Sequence, residues 1–157
     1  MVSQTEYKRK FLVVIDETPE CERALTFAAY RVKRTGGTVV LMSVIQKPEF
    51  IGLGVEDVLR AEAVEEAERN LDARLVRIRD IGEVRSESVI REGSAAEEIE
   101  RVIDQDRDIA ILVLAASTSG EGPGPLVMHF ASRANALPIP LTIVPGRMSD
   151  EEIIAIC

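Results

Sequence analysis

Tryptophan is missing from the 157 residues, and four phenylalanines and two tyrosines are the only other large aromatics. Base-stacking platforms for single-stranded nucleic acid therefore have little to be built from. Histidine occurs once, as His129, which leaves no room for a His-rich metal centre. The two cysteines, Cys21 and Cys157, lie near opposite ends without C-x-x-C spacing, so neither a disulfide framework nor a zinc site is indicated. The patterns G-x-x-x-x-G-K-[ST] and G-x-S-x-G are both absent, which argues against a P-loop and against a nucleophile-elbow hydrolase built on Ser132 and His129. Long apolar runs are absent too. The longest, Ile109-Ala-Ile-Leu-Val-Leu-Ala-Ala116, is strand-sized and far short of the roughly 20 residues that cross a bilayer. Met1-Val-Ser-Gln-Thr-Glu-Tyr-Lys-Arg-Lys10 lacks the apolar core of a signal peptide, so a cytoplasmic location is expected. Basic charge is scarce: 19 Lys and Arg against 27 Asp and Glu give −8. A phosphate backbone would be repelled, and no nucleic-acid partner is expected. A small anion is a different case, because converging backbone N–H groups can make a positive spot on an acidic protein.

What is present is an alternation of strand-like and helix-like segments. Phe11-Leu-Val-Val-Ile-Asp16 is a continuous apolar run, the pattern of a strand covered on both faces of a parallel sheet. Thr18-Pro19 reads as an N-cap followed by proline in the first helical position. Ala24, Leu25, Ala28 and Val32 then recur at helical spacing, and Gly36-Gly37 ends the helix. Thr38-Val-Val-Leu-Met-Ser-Val-Ile45 predicts a second buried strand, followed by a loop with exposed apolar character over residues 46–54. A long helix is expected over residues 55–81, with Val64, Ala67, Leu71, Leu75 and Ile78 on its inner stripe and Glu62, Glu65, Glu66 and Glu68 on a solvated face. Residues 85–92 are more polar and suit an edge strand. Ser94-Ala-Ala-Glu97 has capping-box spacing before a helix that turns Ile99, Val102 and Ile103 inward and ends near Asp106. The run from Ile109 to Ala116 is the best candidate for a central strand, residues 126–136 for a helix, and Leu141-Thr-Ile-Val144 for a fifth strand. No linker or second core interrupts this order. It predicts one doubly wound α/β domain over 1–157, with its core at about 10–146 and a C-terminal tail at 147–157.

In such a sheet ligands sit beyond the carboxyl ends of the strands. Asp16 and Thr18, the end of strand two, Gly93-Ser94, and the loop from Ser117 to Gly124 would all meet there. The loop is the most suggestive, since Gly120, Gly122 and Gly124 let a backbone turn its N–H groups toward an anion ahead of a helix N-terminus. It reads equally as a rigid surface turn. Asp16 has two readings as well: a hydrogen-bond acceptor for a ligand, or an anchor for the next helix. His129 is expected to be a surface or packing residue.

From Lys10 to Gly146 the chain resembles the universal stress protein family. The resemblance is carried by Phe11-Leu-Val-Val-Ile-Asp16 with Ala24-Leu25 beyond it, Gly36-Gly37 before a Val-rich strand, Arg91-Glu-Gly93 before a helix, Asp108-Ile-Ala-Ile-Leu-Val before a small-residue loop, and Pro138-Ile-Pro140 before Leu141-Thr-Ile-Val144. It implies a three-layer α/β sandwich of the flavodoxin-like, adenine nucleotide alpha hydrolase-like kind, with a five-stranded parallel sheet in the order 3-2-1-4-5. It implies a homodimer joined through the last strand, Leu141-Thr-Ile-Val144. Many members bind ATP, with an Asp after strand one and a Val at the end of strand two at the adenosine; Asp16 and Val44 match these positions. Thr18, Ser117, Ser119, Gly120, Gly122 and Gly124 complete the implied nucleotide-binding set. The family's phosphate pattern, G-x-x-G, nine residues, then Gly-Ser or Gly-Thr, is not matched. The loop begins Ala115-Ala116-Ser117-Thr118, its glycines are spaced by two, Met128 and His129 stand about where the Gly-Ser would fall, and Pro123 and Pro125 each remove a donor.

Two versions of a non-enzymatic stress-response module follow: a sensor of ATP or a related adenine nucleotide, compatible at most with slow hydrolysis, or a dimer acting through protein partners without a nucleotide. A phosphoacceptor signalling domain shares the architecture. Asp16-Glu17 would serve it, but Arg91-Glu-Gly93 and Pro145-Gly146 do not supply its remaining carboxylate and lysine. No residue argues for a flavodoxin-like enzyme. The tail, Asp150-Glu-Glu-Ile-Ile-Ala-Ile-Cys157, carries three isoleucines and is expected to pack on its own domain or across a dimer.

Overall fold

Five runs of aliphatic and β-branched residues pair side by side into one all-parallel sheet, in a computed structural model that describes residues 9–50 and 52–157. Met1 to Lys8, on which the reading of the N-terminus rests, and Ile51 of the apolar loop lie outside the described residues. The elements are β1 (Lys10–Val14), α1 (Cys21–Thr35), β2 (Thr38–Ile45), α2 (Val55–Ile81), β3 (Arg85–Glu92), α3 (Ala95–Gln105), β4 (Ile109–Ala116), α4 (Pro125–Ser132), β5 (Leu141–Pro145) and α5 (Asp150–Ile156). The strand order is β3-β2-β1-β4-β5, as the resemblance implies. The middle strand is thus β1. The more apolar β4 lies beside it, between β1 and β5, an interior place as its composition predicts. Polar β3 takes an edge, as its composition predicts.

Alternation along β1 divides the interior in two. Phe11, Val13 and Ile15 join residues of α1, α2 and α5 on one face, while Leu12 and Val14 join residues of α3 and α4 on the other. Leu12, Val13, Leu25, Leu41, Ile99, Leu112 and Phe130 are among the fully buried side chains, each contributing about 1.5–3 kcal/mol of transfer free energy. Leu12 lies opposite Val40 on one side and Leu112 on the other, so the register places aliphatic groups across neighbouring strands. The glycine stop of α1 is real: Gly36 has φ 79 and donates its N–H to the Val32 carbonyl at 2.8 Å.

Several local expectations change. Thr18 does not cap α1. The helix begins three residues later, with Glu20 at its N-cap, because Thr18 turns back onto Asp16. Ser94 stands at the N-cap of α3 but makes no side-chain cap hydrogen bond, so the expected box with Glu97 does not form. A complete capping box appears instead at Ser149 and Glu152, opening α5. Helix α4 stops at Ser132 and not at residue 136. Beyond it the backbone tightens, with Arg133 N bonded to Phe130 O and Ala134 N to Ala131 O. The tail packs on its own fold. Ile153 and Cys157 are buried in the cluster with α1, and Cys157 Sγ donates to the Phe27 carbonyl at 3.7 Å, while Ile154 and Ile156 stay exposed. Among the described residues, no helix is long and apolar enough to cross a membrane.

Candidate functional site

Because all strands run one way, their carboxyl ends gather along a single rim; there β1 leads through α1 to β2 on one side, while its other neighbour β4 leads through α4 to β5 on the other. A crevice opens at such a reversal because the two flanking connections leave on opposite faces. Here it is a cleft of about 860 Å³. That is within the usual range of small-molecule sites. Its floor is the end of β1 (Val14, Ile15) and of β4 (Leu114, Ala115); its walls are Asp16, Thr18, Glu20 and Cys21 before and at the start of α1, Val44 of β2, Ser94 to Ala96 at the start of α3, and Ser117, Ser119 and residues 121–129.

Asp16 sits just past the apolar strand, where the chain must leave the sheet. Its Oδ1 accepts from the Thr18 N–H at 2.9 Å and from the Thr18 hydroxyl. The carboxylate thus holds its own turn and not the first turn of α1. Oδ2 accepts no hydrogen bond among the described residues and remains available to a ligand donor. Val44 presents a half-buried side chain at the end of β2. Cys21, the first residue of α1, donates its thiol to the Asp16 carbonyl at 3.6 Å, and burial raises its pKa above the ordinary value.

The loop after β4 is folded on itself. Ser117 N–H donates to Pro123 O at 2.9 Å, Ser119 N–H to Ser117 Oγ at 3.1 Å, and the two serine hydroxyls are also 3.1 Å apart. Of the loop's N–H groups, those of Ser117 and Ser119 are therefore already engaged. Gly122 and Gly124 have φ 97 and 101, a region that L side chains rarely adopt, so glycine is required at both for the turn into α4. Gly120 is not among the residues that line the cleft, and its φ is ordinary. Behind the loop, Gly146 passes so close that an added Cβ would lie 2.3 Å from Ala116 O and 2.8 Å from Thr118 Cγ2.

Of the expected residues, Asp16, Thr18, Val44, Ser117, Ser119, Gly122 and Gly124 share the cleft. Sequence reasoning passed over Glu20, Cys21, Ala95, Ala96, Glu121 and the first turn of α4. The starts of α3 and α4 could have been found, since any helix following a parallel strand begins at this rim with N–H groups that lack intrahelical partners. His129 packs against its neighbours, as expected. It lines the cleft, its Nε2 is 3.3 Å from Glu100 Oε1, and its ring meets Phe130 edge-on at 4.9 Å. A second, smaller cavity of about 190 Å³ lies between α3 and the segment after α4, with Glu100, Asp104 and Arg133 at its polar side. Among the described residues, no three His, Cys, Asp or Glu side chains gather in a way that could hold a metal ion.

The sequence profile of the universal stress protein family matches residues 8–145. No curated protein matches the chain in sequence. Among solved structures, the universal stress protein UspA from Lactobacillus plantarum superposes with a TM-score of 0.74 at 16% identity, covering 87% of this chain and 97% of that one. A universal stress protein from Arabidopsis thaliana with AMP bound gives 0.61 at 18% identity, covering 91% and 94%. One from Archaeoglobus fulgidus in complex with dAMP gives 0.58 at 19% identity, covering 87% and 97%.

Proposed function

The chain belongs to the universal stress protein family, and from that premise we propose that it is a cytoplasmic stress-response module that binds an adenine nucleotide in the rim cleft and does not turn it over as an enzyme. The observation that carries this reading is the convergence of Asp16, Val44, Ser117, Ser119 and residues 121–124 on one cleft at the strand reversal. Proteins of the same fold from Arabidopsis thaliana and Archaeoglobus fulgidus hold AMP and dAMP. In this chain Val44 and the apolar strand ends would flank the adenosine, and Asp16 Oδ2 would accept from its hydroxyls. Response then comes from selection: a ligand that favours one arrangement of the 117–124 loop shifts its population, and a partner reads the result.

A second reading, a homodimer acting through protein partners without a nucleotide, is favoured by the loop's internal bonds and by Pro123 and Pro125, which have no N–H to offer. The outer edge of β5 carries no strand among the described residues, and Ile143 is exposed there, which suits pairing with a second copy.

Thermal unfolding with adenine nucleotides separates the two readings. A ligand at 100 times its dissociation constant adds about 2.7 kcal/mol. In a protein of this size that raises Tm by about 5–10 °C. Ser117→Ala and Gly122→Val should weaken the shift. A shift below about 1 °C at millimolar AMP and ATP, with no nucleotide released on denaturation, refutes the nucleotide reading.

A further inference from the structure

Formal charge in the cleft is one-sided. Asp16, Glu20 and Glu121 line it, and no Lys or Arg does among the described residues; His129 is the only basic side chain there. The positive contribution comes from backbone. α1, α3 and α4 all start at the cleft, and a helix start is equivalent to roughly half an elementary charge, so three amount to about +1.5. Three carboxylates exceed that. The N–H groups of Ser117 and Ser119 are spent internally, on Pro123 O and Ser117 Oγ, and Pro125 brings none to the first position of α4. Donors without an intrahelical partner include the first-turn N–H groups of α4, at Leu126 and Val127, and those of α3 beside Ser94, whose hydroxyl caps nothing.

A cleft with that balance opposes each phosphate charge added to a ligand. Resting on the nucleotide reading above, we propose that the cleft is selective for an adenine nucleoside carrying at most one phosphate and discriminates against the triphosphate, with Glu121 as the principal rejecting side chain. Glu121 is assigned that role by position. It stands in the loop between the serine pair and the start of α4, where a chain of β- and γ-phosphates leaving the α4 N-terminus would pass, whereas Asp16 is turned onto Thr18. Adenosine and AMP share the chemistry that the cleft accepts; ADP and ATP add only the charge that it opposes.

The test is calorimetric titration of the full chain with adenosine, AMP, ADP and ATP, each with and without Mg²⁺, at low and high salt. Affinity should fall from AMP to ATP by at least tenfold at low salt, and the gap should shrink at high salt, since exposed charges are screened. Two unit charges about 6 Å apart in water interact with an energy equivalent to roughly a threefold change in affinity. Glu121→Gln should therefore raise the ATP-to-adenosine affinity ratio about threefold or more, and Glu121→Lys further. Glu121 is exposed in a surface loop, so neither variant threatens folding. ATP binding as tightly as AMP, with or without Mg²⁺, overturns the inference and leaves the nucleotide reading intact. An unchanged ratio in Glu121→Gln also overturns it. Failure of all four ligands to bind at millimolar concentration removes the nucleotide reading itself.

Discussion

Replacing Gly146 with alanine probes the contact that holds the loop after β4 in place. The new Cβ would fall 2.3 Å from the Ala116 carbonyl oxygen and 2.8 Å from Thr118 Cγ2, with Glu20 Cβ at 3.2 Å. The first is backbone at the end of an interior strand and cannot swing away as a flexible side chain would. The chain must therefore open between the end of β5 and the end of β4, where Ala116 pairs with Pro145. Overpacking of this kind costs about 1–3 kcal/mol. At about 2–4 °C per kcal/mol this lowers Tm by roughly 2–12 °C. Gly120→Ala is the matched control, because its Cβ meets nothing within 4 Å and its φ is ordinary; its effect should stay within about 0.5 kcal/mol. Urea unfolding of both variants, with nucleotide titration beside it, gives the answer. If the Gly146 variant matches the control in midpoint and in ligand response, the close approach of these two strand ends does not shape the cleft.

Three further outcomes are expected. Ser149→Ala should cost about 0.5–2 kcal/mol by urea unfolding, because Ser149 Oγ accepts from Glu152 N in a complete box, whereas Ser94→Ala, which loses no cap bond, should change stability little. Truncation after Met148 should destabilise by at least the burial of Ile153, about 1.5–3 kcal/mol, and should break the Arg23–Asp150 ion pair; its mass in solution reports whether α5 also joins two copies. Finally, burial opposes the charge of Asp106, but its bonds from Lys10 and the Asp108 N–H and the Lys10 charge outweigh that and lower its pKa from 3.8. The hydrogen bond to Asp106 likewise raises the Lys10 pKa, against burial and with help from Glu87. A lowered acid stabilises above its unfolded value and loses that as pH falls through the folded one; a raised base does the converse. The pair should therefore support the fold from about pH 4 to about pH 10.5. Asp106→Asn should flatten the acid limb of the urea midpoint, and an unchanged limb counts against the pair.

The strands and long helices were legible because period and length report directly on burial. β2, α2, β3 and β4 fall at their expected bounds, with α2 turning Ala67, Leu71 and Ile78 inward and its glutamates out. Helix starts were less legible. Ser94 and Ser149 carry the same Ser-x-x-Glu spacing, yet only Ser149 closes its box. Local sequence offers a cap, and whether the hydroxyl turns inward depends on surroundings from elsewhere in the chain.

The order of elements alone determined one doubly wound α/β domain, since alternating buried strands and helices have few ways to cover both faces of a sheet, and the resemblance to a family added the strand order and the matching of Asp16 and Val44. Tertiary structure decided what that rim offers. Ser117 N–H closes on Pro123 O, and Glu121 joins Asp16 and Glu20 across a distance of a hundred residues. The charge of a cleft is a sum over segments remote in sequence, and only their meeting in space sets it.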